Sequence, residues 1–328
     1  MPIRLPAEWE KQEFIMLVFP NPDSDWRHSI DEIQNSYIKL IKTIISYQKC
    51  VVLCSYKKEL QKALPKTDNL VLIEIETNDT WIRDFGAICV YENSKIKLLN
   101  FKFNAWGGKF EYKKDDEINR KLKALNLFKA PMQDIDFVLE GGSIETNGEG
   151  FLLSTQNCIF NKNRNPNLSK EEILAVLKSK FGVGEILTLK NGSLIGDDTD
   201  SHIDTLARFL DNKTIAYTKC YNKDDEHYEE LQKMENELKK SNFELLALPL
   251  PSPKYFQNHR LPATYLNFVF INGALLVPTY KDKNDKIALE MLQNFFEKRD
   301  VIGIDASVFI REHGSLHCAT MNFYKDLA

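Results

Sequence analysis

The residues best equipped for chemistry are a cysteine near the C-terminus and a histidine more than a hundred positions earlier. Cys318 closes the run Glu312-His313-Gly314-Ser315-Leu316-His317-Cys318, and His202 stands in Ser201-His202-Ile203-Asp204, with a further acid at Asp84. A thiol with an ordinary pKa near ~8.5 is mostly unreactive at neutral pH and needs a proton acceptor or a cationic neighbour, a role open to His202. Asp84 and Asp204 cannot be nucleophiles for the same centre. Their natural partner is planar and positive, as a guanidinium is, because its fork gives a carboxylate two parallel hydrogen bonds. This inventory points to covalent catalysis on a cationic substrate.

For these groups to meet, the chain must fold Cys318 back onto the His-x-Asp pair. Residues 201–210 read as a strand, whose period of two puts His202 and Asp204 on one face. Helical periodicity is clearest over 26–48, 115–128, 169–181, 224–240 and 284–298. Short strand-like runs lie between them: 14–19, 50–54, 70–75, 87–91, 97–101, 151–154, 214–218, 245–248, 267–271, 274–278 and 301–304. Five helices separated by groups of strands suggest five α/β units, although a doubly wound sheet fits the same count. No Ser/Gly-rich linker divides the chain, so a single domain over 1–328 is expected.

The 328 residues are 43% hydrophobic, enough for a large core, and 47 acids against 43 bases leave a net charge of −4. No basic stripe is available to neutralise phosphates, which argues against nucleic acid. The six cysteines lack CxxC spacing, so neither a disulfide framework nor a zinc knuckle is suggested, and a reducing cytoplasm is the expected compartment. The start, Met1-Pro2-Ile3-Arg4-Leu5-Pro6, lacks an apolar signal core, and no stretch approaches the length that spans a bilayer. No membrane partner is therefore expected, and a homodimer stays open.

Each candidate has a plainer alternative. Asp84, in Asn78-Asp79-Thr80-Trp81-Ile82-Arg83-Asp84-Phe85-Gly86, can be a turn cap with Arg83 as its surface ion-pair partner. It gains weight as the second carboxylate of a clamp beside Trp81, a flat wall for a cation. Glu140 before Gly141-Gly142 can be an ordinary tight turn, or a third carboxylate raising the negative potential, with the glycines admitting close approach. The acidic run from Gly196 through Asp197, Asp198 and Asp200 to Asp204 fails as a calcium loop, lacking the required glycine and terminal glutamate. Cys50, Cys54, Cys89, Cys158 and Cys220 sit in or beside apolar runs and read as inert packing. A metal site of His202, Asp204, His317 and Cys318 is the rival chemistry, but it lacks local ligand spacing.

With these residues in view the chain resembles the agmatine deiminases, within the bacterial-type peptidylarginine deiminase family of guanidino-modifying enzymes. The likeness runs through Leu5-Pro6-Ala7-Glu8-Trp9-Glu10, Trp81 to Gly86, Glu140-Gly141-Gly142, Asp198 to Asp204, Thr264-Tyr265-Leu266-Asn267-Phe268 and His317-Cys318. It implies a five-bladed α/β propeller of pseudo-symmetric ββαβ units. It also casts Cys318 as nucleophile, His202 as general acid and base, and Asp84 and Asp204 as guanidinium clamp, with Asn267 lining the site and Glu140 a supporting acid. The implied reaction hydrolyses agmatine to N-carbamoylputrescine and ammonia through a cysteine thiouronium, toward putrescine, with no metal or organic cofactor. Ala87, Asn147, His313 and Ser315 depart from the family pattern, which touches loop geometry and substrate preference more than the reaction. Free arginine and peptidyl-arginine are the alternative substrates. A non-catalytic polyamine or guanidine binder is the alternative of another class, against which an intact Cys318 argues. The acidic cluster Asp197, Asp198 and Asp200, with the acidic and aromatic Asp79-Thr80-Trp81, is expected to favour agmatine's distal ammonium over an α-carboxylate.

Overall fold

A computed structural model describes residues 3–326 and shows a mixed α/β architecture. Its strands form five sheets of three or four, plus a small hairpin of Tyr255–Phe256 with His259–Arg260. Each of the five sheets contains an antiparallel pair from which a helical crossover leads to a parallel strand. Phe151–Thr155 shows the rule: it pairs antiparallel with Ile144–Thr146, and helix Lys170–Phe181 then leads to the parallel strand Glu185–Leu189. Parallel neighbours cannot be joined by a tight turn, so each unit carries a helix over its sheet. Helices Ile30–Ile45, Ile118–Ala124, Tyr228–Leu238 and Asp285–Phe295 are the other four crossovers, giving five ββαβ units.

The first unit is completed by the far end of the chain. Strand Thr320–Tyr324 pairs antiparallel with Gln12–Val18, which pairs parallel with Lys49–Cys54. Gln12–Val18 is apolar almost throughout because it is covered on both faces. This pairing fixes the backbone immediately after Cys318, so the closing strand also aims the candidate nucleophile. Local sequence sets the helix ends. Ser169 and Glu172 form a reciprocal capping box on Lys170–Phe181, and Gly182 ends it with φ 64°. Helix Ile30–Ile45 buries Ile33, Tyr37, Leu40, Ile41 and Ile44, the one-sided spacing of a helix lying on a sheet.

Three expectations need correction. The 26–48 helix is two elements, a 3-10 turn Asp25–His28 and helix Ile30–Ile45, because Ser29 at φ −137° leaves the helical region. The helix over 115–128 is likewise split, into Lys113–Asp116 and Ile118–Ala124. The 201–210 strand shrinks to Ala207–Phe209, preceded by a 3-10 turn Ile203–Thr205 that starts just after His202. Asp200 and Ser201 take φ values of 66° and 70°, which no strand accommodates. The Asp197 carboxylate holds this bend by accepting from the N–H groups of Thr199 and Ser201.

Candidate active site

Cys318, His202, Asp84 and Asp204 line one cavity of about 360 Å³, within the ~300–1,000 Å³ of small-molecule sites. The strand period does not bring His202 and Asp204 there. The bend at Asp200 and Ser201 and the following 3-10 turn present both, while Asp84 comes from the one-turn helix Ile82–Phe85. Trp81 and Asp198 also line the cavity. Glu140 and Asn267 stand behind it, Glu140 at 3.7 Å from His202 Nε2 and Asn267 Nδ2 at 3.3 Å from Cys318 Sγ.

Both carboxylates are oriented from behind. Asp84 accepts from the Gly142 N–H and from Trp106 Nε1, each at 2.9 Å. A Cβ at Gly142 would come within 2.7 Å of His202 Nδ1, 2.9 Å of Asp84 Oδ1 and 3.0 Å of Asp204 Oδ2. The glycine is thus required by the close approach of three side chains rather than by its own backbone. Asp204 Oδ2 lies 2.7 Å from His317 Nδ1, and Glu8 Oε2 lies 2.6 Å from the other ring nitrogen. Asp204 Oδ1 and both nitrogens of His202 are buried with no hydrogen-bond partner among the described residues. Such orphans are rare in native structures and call for an explanation. For Asp204 Oδ1 the explanation is a guanidinium, whose donors it could accept in the cavity that Asp204 lines.

The electrostatics follow from burial. Asp84 is pushed up to about 6 by desolvation and by the nearby Asp204 and Glu140 carboxylates, against the pull of His202 and Trp106. Burial also acts on Asp204, but His317, His202 and Arg208 more than offset it and hold that carboxyl below its ordinary value. Desolvation disfavours the charged form of His202, yet Asp84, Cys158 and Glu140 prevail and raise it well above 6.5. Cys318 is raised well above 9.0 by burial and by Asp204 and Asp84. At neutral pH the resting pair is therefore an imidazolium and a neutral thiol, and a cation placed between the aspartates favours the thiolate.

The acidic end of the cavity is not the expected cluster. Asp200 does not line it. Its carboxylate pairs with Arg164 at 2.6 Å and Lys109 at 3.2 Å, holding the bend in place. Asp197 does line it, but spends its oxygens on Thr199 and Ser201. The acids that join Asp198 are Asp25, Asp79 and Glu312, from three other segments. Asp79 is pushed up to about 7 by burial, with Asp25 and Asp198 adding to it. Seven carboxylates and one guanidinium, the exposed Arg27, line the cavity. Arg83 is no surface partner: it is buried, and donates to Asn322 Oδ1 at 2.6 Å and to the His317 carbonyl. Arg164 and Arg260 are likewise committed elsewhere, to Glu140 and Asp225.

Sequence reasoning missed Trp106 and Trp26 as lining residues, and Asp115 as a support. Trp106 had a signal, since Trp106-Gly107-Gly108 repeats the syntax of a functional side chain beside paired glycines. Its backbone and that of Ala105 lie at φ 53° and 52°, a strained pair held by Asn104 accepting from the Gly107 N–H. Buried Asp115 accepts from the N–H groups of Asn78 and Asp79 and so fixes the Asp79 loop. Nothing local announces that contact. Cys158, read as packing, sits 3.8 Å from Glu140 Oε2 behind His202.

Residues 4–323 match the family described as Porphyromonas-type peptidyl-arginine deiminase. An agmatine deiminase of Pseudomonas aeruginosa is 30% identical over 349 residues, covering 97% of this chain and 94% of that protein. A solved structure of C. jejuni agmatine deiminase, a cysteine-to-serine variant with substrate bound, has a TM-score of 0.96 and 47% identity, covering 99% of this chain and 97% of that one. DDAH from Pseudomonas aeruginosa, at 12% identity and a TM-score of 0.54 over 95% of this chain and all of that one, shares the fold.

Proposed function

The chain belongs to the Porphyromonas-type peptidyl-arginine deiminase family, and from that membership and the site's geometry we infer that it hydrolyses agmatine to N-carbamoylputrescine and ammonia. The observation that carries this reading is the convergence of Cys318, His202, Asp84 and Asp204 on one acidic cavity. The relative from C. jejuni, described with substrate bound, supports it. The guanidinium lies between Asp84 and Asp204, and its charge draws the Cys318 thiol toward ionisation, the proton leaving to solvent because His202 is already protonated. The thiolate attacks the guanidinium carbon, and the tetrahedral adduct collapses as His202 gives its proton to departing ammonia. Neutral His202 then takes a proton from water, which cleaves the thiouronium to the ureido product and frees Cys318. Asp84 and Asp204 keep positive charge localised at the attacked carbon throughout. Asn267 orients Cys318, Glu140 supports His202, Trp81 walls the alkyl chain, and Asp198 faces the distal ammonium.

We also read the five ββαβ units as blades of one five-bladed propeller, a single catalytic domain over 1–328. Buried Arg208 supports this, since it links Glu8, Glu145 and the carbonyls of Leu266 and Phe268, which lie in three segments other than its own. All six cysteines are free, and among the described residues no helix is long and apolar enough to cross a membrane. The free thiols favour a cytoplasmic setting, where the product would feed putrescine formation.

Ammonia release from agmatine, followed against pH, tests the function. The clamp needs ionised Asp84, whose pKa is raised to about 6. Protons therefore compete with substrate as pH falls, and kcat/KM should drop about tenfold per unit below that value. No ammonia at any pH, or a flat acid limb, contradicts the assignment. Gly142→Ala is expected to lower kcat/KM on the order of 10²-fold, because displacing the clamp and His202 by even ~1 Å spoils the attack geometry. Near wild-type activity in a folded Gly142→Ala protein would show that the close approach is dispensable.

A further inference from the structure

Cys158 does not line the substrate cavity, yet it faces the rear of His202. Its Sγ is 3.8 Å from Glu140 Oε2, and His202 Nε2 is 3.7 Å from the same oxygen. All three ligand atoms lie within 4.8 Å of one another and all three residues are buried. Ligands bound tetrahedrally at 2.0–2.3 Å stand roughly 3.3–3.8 Å apart, so two measured edges already have the span of a zinc site. Two features show a prepared site rather than chance proximity. His202 Nε2 is buried with no hydrogen-bond partner. Arg164 Nε donates to both oxygens of Glu140, at 3.0 and 2.8 Å, the outer support that orients a ligating carboxylate.

The ligands are also held in register. Cys158 sits on the one-turn helix Gln156–Ile159, and the Thr155 hydroxyl at its start donates to the Ser201 carbonyl at 2.7 Å. The Cys158 and His202 segments are thus tied together. We propose that Glu140, Cys158 and His202 form a thiophilic divalent-cation site of the zinc class, and that an ion there switches the enzyme off. Binding releases two protons to solvent, one from His202 Nε2 and one from Cys158, and the ion takes the freed Nε2 lone pair, the Cys158 thiolate and one Glu140 oxygen. Water from the cavity that His202 lines fills the fourth position. His202 can then neither donate to ammonia nor accept from water. The inhibition rests on the deiminase reading above; the binding does not.

Calorimetric titration of zinc into Cys318→Ser separates this site from the nucleophile. One ion per chain should bind, and binding should vanish in Cys318→Ser/Cys158→Ala. Cobalt added to Cys318→Ser should give a thiolate charge-transfer band, which requires no change at Cys158 and so stands even if Cys158→Ala fails to fold. In the otherwise wild-type enzyme zinc should stop ammonia release and EDTA should restore it. Cys158→Ala should stay within a few-fold of wild-type activity while needing about 100-fold more zinc for inhibition. Zinc affinity unchanged by Cys158→Ala, no binding or no cobalt band in Cys318→Ser, or full zinc sensitivity of Cys158→Ala overturns the proposal. Zinc bound by the triad in a protein that releases no ammonia from agmatine would leave the site standing and remove the deiminase reading instead.

Discussion

Cys318→Ser is expected to abolish turnover while agmatine still binds. The hydroxyl is a far weaker nucleophile, and burial beside Asp204 and Asp84, which already raises the thiol, penalises an alkoxide more severely. Loss of an essential nucleophile costs on the order of 10⁴-fold or more in kcat. Binding should survive because the groups that hold the cation are anchored elsewhere, Asp84 by Gly142 and Trp106 and Asp204 by His317. Calorimetry should return an agmatine Kd within a few-fold of the wild-type KM. Activity within about tenfold of wild type would sink the covalent route.

Substrate order should show the second largest effect. Agmatine is expected to exceed free arginine in kcat/KM by about 10²-fold or more, with peptidyl-arginine poor. An α-carboxylate would sit among Asp25, Asp79, Asp198 and Glu312, with the exposed Arg27 and the imidazoles of His28 and His313 to meet it. Leaving such a group desolvated and unpaired costs ~1–3 kcal/mol or more. Asp79 is the acid to watch, being the more deeply placed, and Asp198 the second. Asp79→Asn and Asp198→Asn should each raise KM for agmatine more than they lower kcat, and should narrow its lead over arginine. Arginine matching agmatine, or a ratio unchanged in both variants, would contradict this preference.

What the sequence revealed depended on range along the chain. The five crossover helices were visible because each buries a stripe of its own residues, as Ile33, Tyr37, Leu40 and Ile41 do. Strands Met132–Val138 and Glu185–Leu189 escaped notice, since polar residues interrupt their apolar pattern. Cys318, His202, Asp84 and Asp204 stood out by residue type and by family likeness. Their supports did not, because those contacts join segments that no local pattern connects: Glu8 reaches His317 across 309 positions, and Trp106 reaches Asp84 across 22. The acidic run 197–204 misled for a related reason. Composition marks it as negative, but only the fold shows that Asp197 and Asp200 hold the bend while Asp79 faces the cavity. Glu140, Cys158 and His202 are too widely separated to form any ligand-spacing motif.

The central claim is a covalent bond between Cys318 and the substrate's guanidinium carbon. Acid-quenching the wild-type enzyme at saturating agmatine, over times spanning one turnover, and mapping its mass by peptide tests that claim most directly. The account predicts an adduct of agmatine less ammonia on the peptide containing Cys318, appearing as the first ammonia is released and decaying as substrate runs out. Ammonia accumulating at full rate with Cys318 unmodified at every time, or the adduct on another residue, would contradict it.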